Sequence, residues 1–352
     1  MSAHAFDPAF AVAARQVQTD IVPFVILGVA GAEGVVRLDA FPPVEGPRIG
    51  TNAVCLLASI TKPIVATAVM RLVQDGRFPL TVPLSRWLPE LDTAGLAPFT
   101  AWHVLTHTTG IADIDLEELL LDGGDRPELL RRTSAAGQES VPGSHFRYAS
   151  FTFDLLAEAV GRAVGRPFDE LLRETILDPL GMTDTTFDPG PSGGRRAPVV
   201  VGGWDGSHRA QAGADTEGMV AAYASLRLAG GGLWSTAQDL LRFGRAMLRG
   251  GELDGVRVLG RPMVDLMTRE VTVNGLGATA DRLTDDHYGL GWGKPGAASP
   301  GSPLAFGHGG VSGTLLWVDP ACDLVFVYLT GQWGNPHPAS HDVLLAAYGA
   351  IE

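Results

Sequence analysis

The chain has 352 residues, 45% of them hydrophobic, and a formal net charge of −13. That length and apolar content allow a substantial core in one large domain or two. The negative balance excludes nucleic acid and anionic membrane surfaces as expected partners, and no apolar run approaches the about 18 residues of a membrane span.

Met1 to Asp20 has no early basic residue and Asp7 interrupts any apolar core, so no secretory pattern is present and a cytoplasmic protein is expected. Asp7-Pro8 reads as an N-cap and first turn, opening a short helix to about Val17. Phe24 to Val29 reads as a buried strand and Val35 to Ala40 as an alternating one, joined by a hairpin at Ala32-Glu33-Gly34. Pro42 to Gly50 is loop. Cys55 and Cys322 are the only cysteines. Neither has a C-x-x-C neighbour, so both are expected to be buried thiols, and no metal or cofactor follows from them.

Ile64, Ala68 and Leu72 recur at helical spacing, with Val65 and Val69 beside them, and Gly76 closes the run. Pro63 is tolerated only in a first turn, so this helix is expected to begin close to Ser59. Ser59 then lies among unpaired N–H groups, and Lys62, three residues on, rises from the same face. Of the 26 basic residues only Lys62 and Lys294 are lysine. Arginine stays protonated and cannot serve as a base; a lysine can when neutral, a state that burial and neighbouring cations favour. The chemistry this pattern suits is a serine nucleophile with a lysine within reach of its proton. The plain alternative is a helix cap followed by a surface lysine.

Downstream, Leu80 to Leu88 is turn-rich. Ala101 to Thr106 reads as a helix stopping at Thr108-Thr109-Gly110, with short helical pieces at Asp115 to Leu121 and Glu128 to Arg132. Amphipathic helices follow at Phe151 to Val164 and Phe168 to Leu177. Pro189 to Gly203 is loop. Ser235 to Gln238 reads as a capping box before a helix from Leu240 to Leu248, and Met263 to Met267 as a short helix. Strands are expected at Tyr288 to Trp292, Thr314 to Val318 and Leu324 to Thr330, and a final helix at Ala339 to Tyr348. There is no internal repeat. A strand-rich beginning and end around a helical middle implies one discontinuous α/β (α+β) domain over 1–352. Its sheet lobe spans about 1–76 and 231–352, its helical lobe about 77–230, with the ligand cleft between them.

Two further sites suit the Ser59 chemistry. Tyr148-Ala149-Ser150 follows a Pro/Gly-rich loop, where a tyrosine can reach a cleft and act as a general base. Gly307-His308-Gly309-Gly310-Val311 precedes a strand, and its glycines allow close backbone approach to a ligand. Together the Ser-x-x-Lys helix, the Tyr-containing loop and the His-x-Gly segment resemble the serine β-lactamase and penicillin-binding-protein superfamily. The similarity is greatest to the branch of class C β-lactamases, D-stereospecific peptidases and β-lactamase-like carboxylesterases, and runs from about Phe24 to Thr330. The resemblance implies a β-lactamase-like fold, an antiparallel sheet flanked by helices plus a helical lobe. It implies Ser59 as acyl-forming nucleophile and Lys62 and Tyr148 sharing the proton, either one being the base. It also implies an oxyanion hole from the Ser59 and Val311 N–H groups, and a substrate side lined by Ser150, His308, Gly309 and Gly310.

Two departures bear on substrate. Ser150 stands where the pattern has asparagine, and His308 where β-lactamases have lysine. An ordinary histidine is mostly neutral at pH 7 and offers a β-lactam carboxylate no fixed cation. The expectation is therefore a carboxylesterase on small neutral acyl substrates. A D-stereospecific peptidase or amidase, a class C-like β-lactamase, and a non-catalytic ligand-binding or assembling homologue are the alternatives. His103 and His107 are at i, i+4 but lack the intervening glutamate of a zinc hydrolase, so no metal is expected. The acidic run from Asp113 to Asp125 lacks EF-hand spacing and reads as a solvated face. No Gly-x-Ser-x-Gly elbow is present.

Overall fold

The computed structural model describes residues 2–43, 46–190, 194–201, 216–271, 287–296, 299–334 and 339–351. In chain order the elements that position the site are α1 (Asp7–Gln18), β1 (Val25–Ala30), β2 (Val35–Phe41), α2 (Thr61–Gln74), α3 (Ala101–Leu105) and α4 (Leu116–Leu121). They continue with α5 (Arg126–Ala135), α6 (Thr152–Val164), α7 (Ala237–Leu248), β3 (Phe306–Gly309), β4 (Leu315–Asp319), β5 (Leu324–Leu329) and α8 (Ala339–Tyr348).

The main sheet has five strands in the order β2-β1-β5-β4-β3, all antiparallel, with Ile26 opposite Leu329 and Phe326 opposite Trp317. Successive side chains leave a strand on opposite faces, and both faces are covered. Val25, Leu27, Val29, Phe326 and Tyr328 pack under α1 and α8. Ile26, Ala30, Val325, Val327 and Leu329 join the larger core with α2 and α7. The buried Tyr328 hydroxyl is satisfied by donating to Gln16 Oε1 at 3.0 Å. Among the described residues no helix is long and apolar enough to cross a membrane.

Several expectations shift. Asp7 is the first residue of α1 rather than its cap, because a 3₁₀ turn at Ala3–Phe6 leads into it. Thr236, not Ser235, caps α7 by accepting from Asp239 N–H, since Ser235 is held in a short strand pair opposite Cys55 and its hydroxyl bonds Thr185. Tyr288 to Trp292 is a turn with one bridge, Tyr288 to Gly293, not a strand; Gly291 takes φ +79° there. The helix Thr216–Ser225 was not expected at all. Phe168 to Leu177 starts helical but widens into a π turn from Arg173. Cys55 is buried, its thiol pushed up to about 12 by burial, whereas Cys322 is only partly buried. Within the Pro189 to Gly203 loop, residues 191–193 and 202–203 lie outside the described residues, and Val200–Val201 forms a short strand paired in parallel with Gln332–Trp333.

Candidate active site

Ser59 sits in a 3₁₀ turn, Ala58–Ile60, that runs directly into α2. Ala58 holds φ +47°, the left-handed region that a side chain makes unfavourable by about 1–2 kcal/mol. The surroundings enforce it. Leu57 N–H donates to Leu233 O at 2.9 Å, Ser312 Oγ donates to Leu56 O at 2.9 Å, and Thr314 Oγ1 donates to Leu57 O at 3.0 Å. Pro63 falls within the first turn of α2, as its missing N–H requires.

Lys62 is fully buried, and its Nζ donates to Ser59 Oγ at 3.2 Å, Ser150 Oγ at 3.3 Å and Gly230 O at 2.7 Å. Three acceptors match the three N–H donors of an ammonium. The same nitrogen lies 4.7 Å from the centre of the Tyr148 ring, a cation–π distance. The structure thus brings Ser59, Lys62, Tyr148 and Ser150 into one cluster.

Two residues hold the Tyr148 loop in place. His107 stacks on Tyr148 with ring centres 4.4 Å apart, and its Nδ1 accepts from Ala149 N–H at 3.1 Å. That bond places the ring proton of a neutral imidazole on Nε2. Burial, then Lys62 and His308, lower its pKa well below the ordinary range. His103 instead serves the N-terminus of α3, its Nδ1 accepting from Thr100 N–H. His107 leaves the helix at φ +55°, so the two histidines do not share a helix face. The carboxylate of Asp113 accepts from Ser150 N–H at 2.7 and 2.8 Å and from Phe151 N–H at 3.1 Å, fixing the entry to α6. The acidic run is therefore not simply a solvated face. Asp115 and Asp125 cap α4 and α5, and Asp122 pairs with Arg132.

A third wall is the loop from Leu226 to Gly232. Gly230 lies so close to Ser150 that a Cβ would stand 2.2 Å from the Ser150 carbonyl oxygen, which makes glycine obligatory there. The loop is tied down by Asp154 of α6, fully buried, whose Oδ1 accepts from Ala229 N–H at 2.8 Å and from Arg126 Nη1 at 3.0 Å. The same Arg126 nitrogen also donates to Leu226 O and Arg227 O. Burial raises the Asp154 pKa, and Arg126 opposes that shift.

The segment from Gly307 to Gly309 belongs to strand β3. A Cβ on Gly310 would lie 2.4 Å from Leu57 O, so this glycine lets the strand end press against the residues preceding Ser59. Beyond it Val311 is exposed, and among the described residues its N–H has no acceptor. His308 is buried. Its Nδ1 donates to Gly309 O at 2.7 Å, and its Nε2 takes the hydroxyl of Tyr288. Burial, with Lys62 adding to it, lowers His308 to about 3, while burial raises Tyr288 well above the phenol range. His308 is thus neutral and committed through both nitrogens, a stronger departure from a lysine than an ordinary histidine would make.

A folded pKa of about 3 lies below the unfolded value of about 6.5, so between those values the unfolded chain binds the extra proton. Stability is fully present above pH 6.5 and falls as pH drops toward 3. His308→Gln is expected to remove about 2–3 kcal/mol of the stability lost between pH 7 and 4.5, read from urea unfolding at the two pH values. Equal pH dependence in variant and wild type would show that His308 is not the group responsible.

Ser59, Ser150, Phe151, Asp154, Leu228 and Val311 line a cavity of about 120 Å³ together with Leu116, Tyr223 and Trp333. Its walls are mainly apolar and aromatic. Two larger surface clefts, of about 530 and 560 Å³, lie over α5 and α6 among arginine–carboxylate pairs and include none of Ser59, Lys62 or Tyr148. The smaller cavity is the one joined to the chemistry. Sequence reasoning missed His107, Asp113, Asp154, Gly230 and Tyr288. The signals present were an acid inside the apolar stretch of α6 and the run Gly230-Gly231-Gly232.

Known proteins resemble this chain over most of its length. An uncharacterized protein of Mycobacterium tuberculosis (strain CDC 1551 / Oshkosh) is 33% identical over 323 residues, covering 78% of this chain and 76% of its own. Esterase EstB of Burkholderia gladioli is 39% identical over 153 residues, 37% of this chain and 38% of EstB. The crystal structure of a family VIII carboxylesterase shares the fold with a TM-score of 0.79 at 20% identity, over 100% of this chain and 99% of that one. Residues 22–350 match the family model described as beta-lactamase, and the chain belongs to that family of serine hydrolases.

Proposed function

We propose that this hydrolase is a carboxylesterase acting on short, neutral acyl esters through an acyl-enzyme on Ser59. The observation that carries the proposal is His308: buried, neutral and bonded through both ring nitrogens, it offers no cation to a substrate carboxylate. Ser150 adds to it, since its hydroxyl accepts from Lys62 and position 150 carries no side-chain amide to hold a substrate amide. The esterase relative supports the same class.

In this mechanism Ser59 Oγ attacks the ester carbonyl, and the Ser59 and Val311 N–H groups receive the developing oxyanion. Lys62 already donates to Ser59 Oγ and to two other acceptors. Tyr148 therefore takes the serine proton, with the Lys62 charge beside its ring stabilising the phenolate, and returns it to the leaving alcohol. Water, activated by the same pair, releases the acid.

A β-lactam needs its carboxylate and side-chain amide held. Each missing charged hydrogen bond forfeits about 1.5–3 kcal/mol, roughly 10- to 150-fold. p-Nitrophenyl acetate and butyrate are therefore expected to be turned over with a kcat/KM at least tenfold above that of nitrocefin at pH 7.5. A wild-type enzyme preferring nitrocefin or a D-alanyl peptide would overturn the esterase assignment and leave the Ser59 chemistry standing.

A further inference from the structure

His107 grips three consecutive residues of the Tyr148 loop. Its carbonyl oxygen accepts from Arg147 N–H at 2.7 Å, its ring stacks on Tyr148 with 4.4 Å between centres and 27° between planes, and its Nδ1 accepts from Ala149 N–H at 3.1 Å. The residue does this from a left-handed backbone, φ +55°, which is strained for any residue with a side chain. Such strain persists only where the surroundings impose it, and it gathers at functional sites. The imidazole is boxed in as well: the rings of Phe146, Phe153 and Tyr288 stand 5.8, 5.5 and 4.8 Å away between centres.

Tyr148 needs such support. It is exposed, and among the described residues no hydrogen bond ties its hydroxyl. The contact with Lys62 is made to the ring and leaves the hydroxyl itself unheld. Asp113, the other residue that holds this loop, bonds the N–H groups of Ser150 and Phe151, beyond the tyrosine. A general base works only within hydrogen-bond reach of the proton it takes. We infer that His107 is the positioning residue of the Tyr148 base, holding the phenol in the orientation that the proton transfer uses. Itself buried, it needs no contact with substrate and acts through Tyr148. The inference rests on the proposed mechanism, in which Tyr148 takes the Ser59 proton. Histidine suits the task because it joins a flat ring to an acceptor at the δ position. Phenylalanine offers the ring alone, and asparagine the acceptor alone.

The test uses His107→Phe and His107→Asn, each made in wild type and in Tyr148→Phe. It measures kcat and kcat/KM for p-nitrophenyl butyrate, and the second-order rate of Ser59 labelling by a fluorophosphonate. Labelling requires the serine proton to leave but needs no ester, so it reads the same step whatever the substrate class. In the wild-type background each substitution is expected to lower kcat, kcat/KM and the labelling rate together by about 10- to 100-fold, the effect of a misplaced reacting group. In Tyr148→Phe the same substitutions are expected to change all three by less than about twofold, since no hydroxyl is left to misplace. An equal fall in both backgrounds would show that His107 only shapes the site as a whole. Rates within about twofold of wild type would show that Tyr148 finds its place without it. Either result overturns the inference. If wild type hydrolyses no ester, the esterase proposal fails and the labelling rates still decide this one. Asparagine tolerates a left-handed backbone better than phenylalanine, so His107→Asn keeps the comparison open should His107→Phe not fold.

Discussion

Ser59→Ala is expected to lose ester hydrolysis by about 10⁴-fold or more and to lose covalent labelling by a fluorophosphonate entirely. The Ser59 hydroxyl accepts from Lys62, follows the strained Ala58 and lines the same cavity as Val311, the arrangement the proposed mechanism uses. The fold should survive. Lys62 keeps Ser150 and Gly230 as acceptors, so one modest hydrogen bond is lost, worth about 1 kcal/mol or less than about 3 °C in Tm. Intact-mass analysis after labelling decides the matter: an adduct that persists in Ser59→Ala places the nucleophile elsewhere.

Lys62→Ala and Tyr148→Phe should each lower kcat by about 10²- to 10⁴-fold. The double variant should be little worse than the poorer single one. The reason is geometric. The Lys62 nitrogen is bonded to Ser59 and lies against the Tyr148 ring, so the proposed proton transfer uses both side chains together. Residues acting as a unit lose their function once, and their losses do not multiply. A double variant whose defect equals the product of the single defects would show two independent contributions and reject this grouping. The pH profile adds a second check, since His308 charges only near pH 3 and should add no limb between pH 5 and 8.

Ser59 and Lys62 were legible in the sequence because both lie on one helical turn, where three-residue spacing fixes their relation before any tertiary structure forms. Tyr148 and the His308 segment were legible through the company they keep with that turn. What supports them was not. Lys62 finds Gly230 O across 168 positions, Tyr288 finds His308 across 20, and Asp113 reaches Ser150 across 37. Such pairings depend on how loops return through space, and no local period encodes them. The sheet itself was well announced by Phe24 to Val29 and Leu324 to Thr330, whose apolar runs have one physical outcome. Tyr288 to Trp292 offered the same kind of pattern and misled, because Gly289 and Gly291 let the backbone turn under Met267 and Ala66 instead of extending. The helix Thr216–Ser225 gave no narrow apolar stripe to read.

The pairing of β1 with β5 has a consequence for synthesis. Ile26 meets Leu329, so the central ladder joins segments separated by about 300 residues. At roughly 5–20 residues per second a ribosome needs about 15–60 s to make the intervening chain. Through that interval the nascent Val25 to Ala30 segment, apolar on both faces, has β2 as its one native strand partner already made. Pairings of such long range are slow to close and leave apolar edges open to other chains. The protein should depend on chaperone occupancy of its first strand during translation, and its heterologous yield should rise when elongation or temperature gives that strand fewer opportunities to pair with a neighbour.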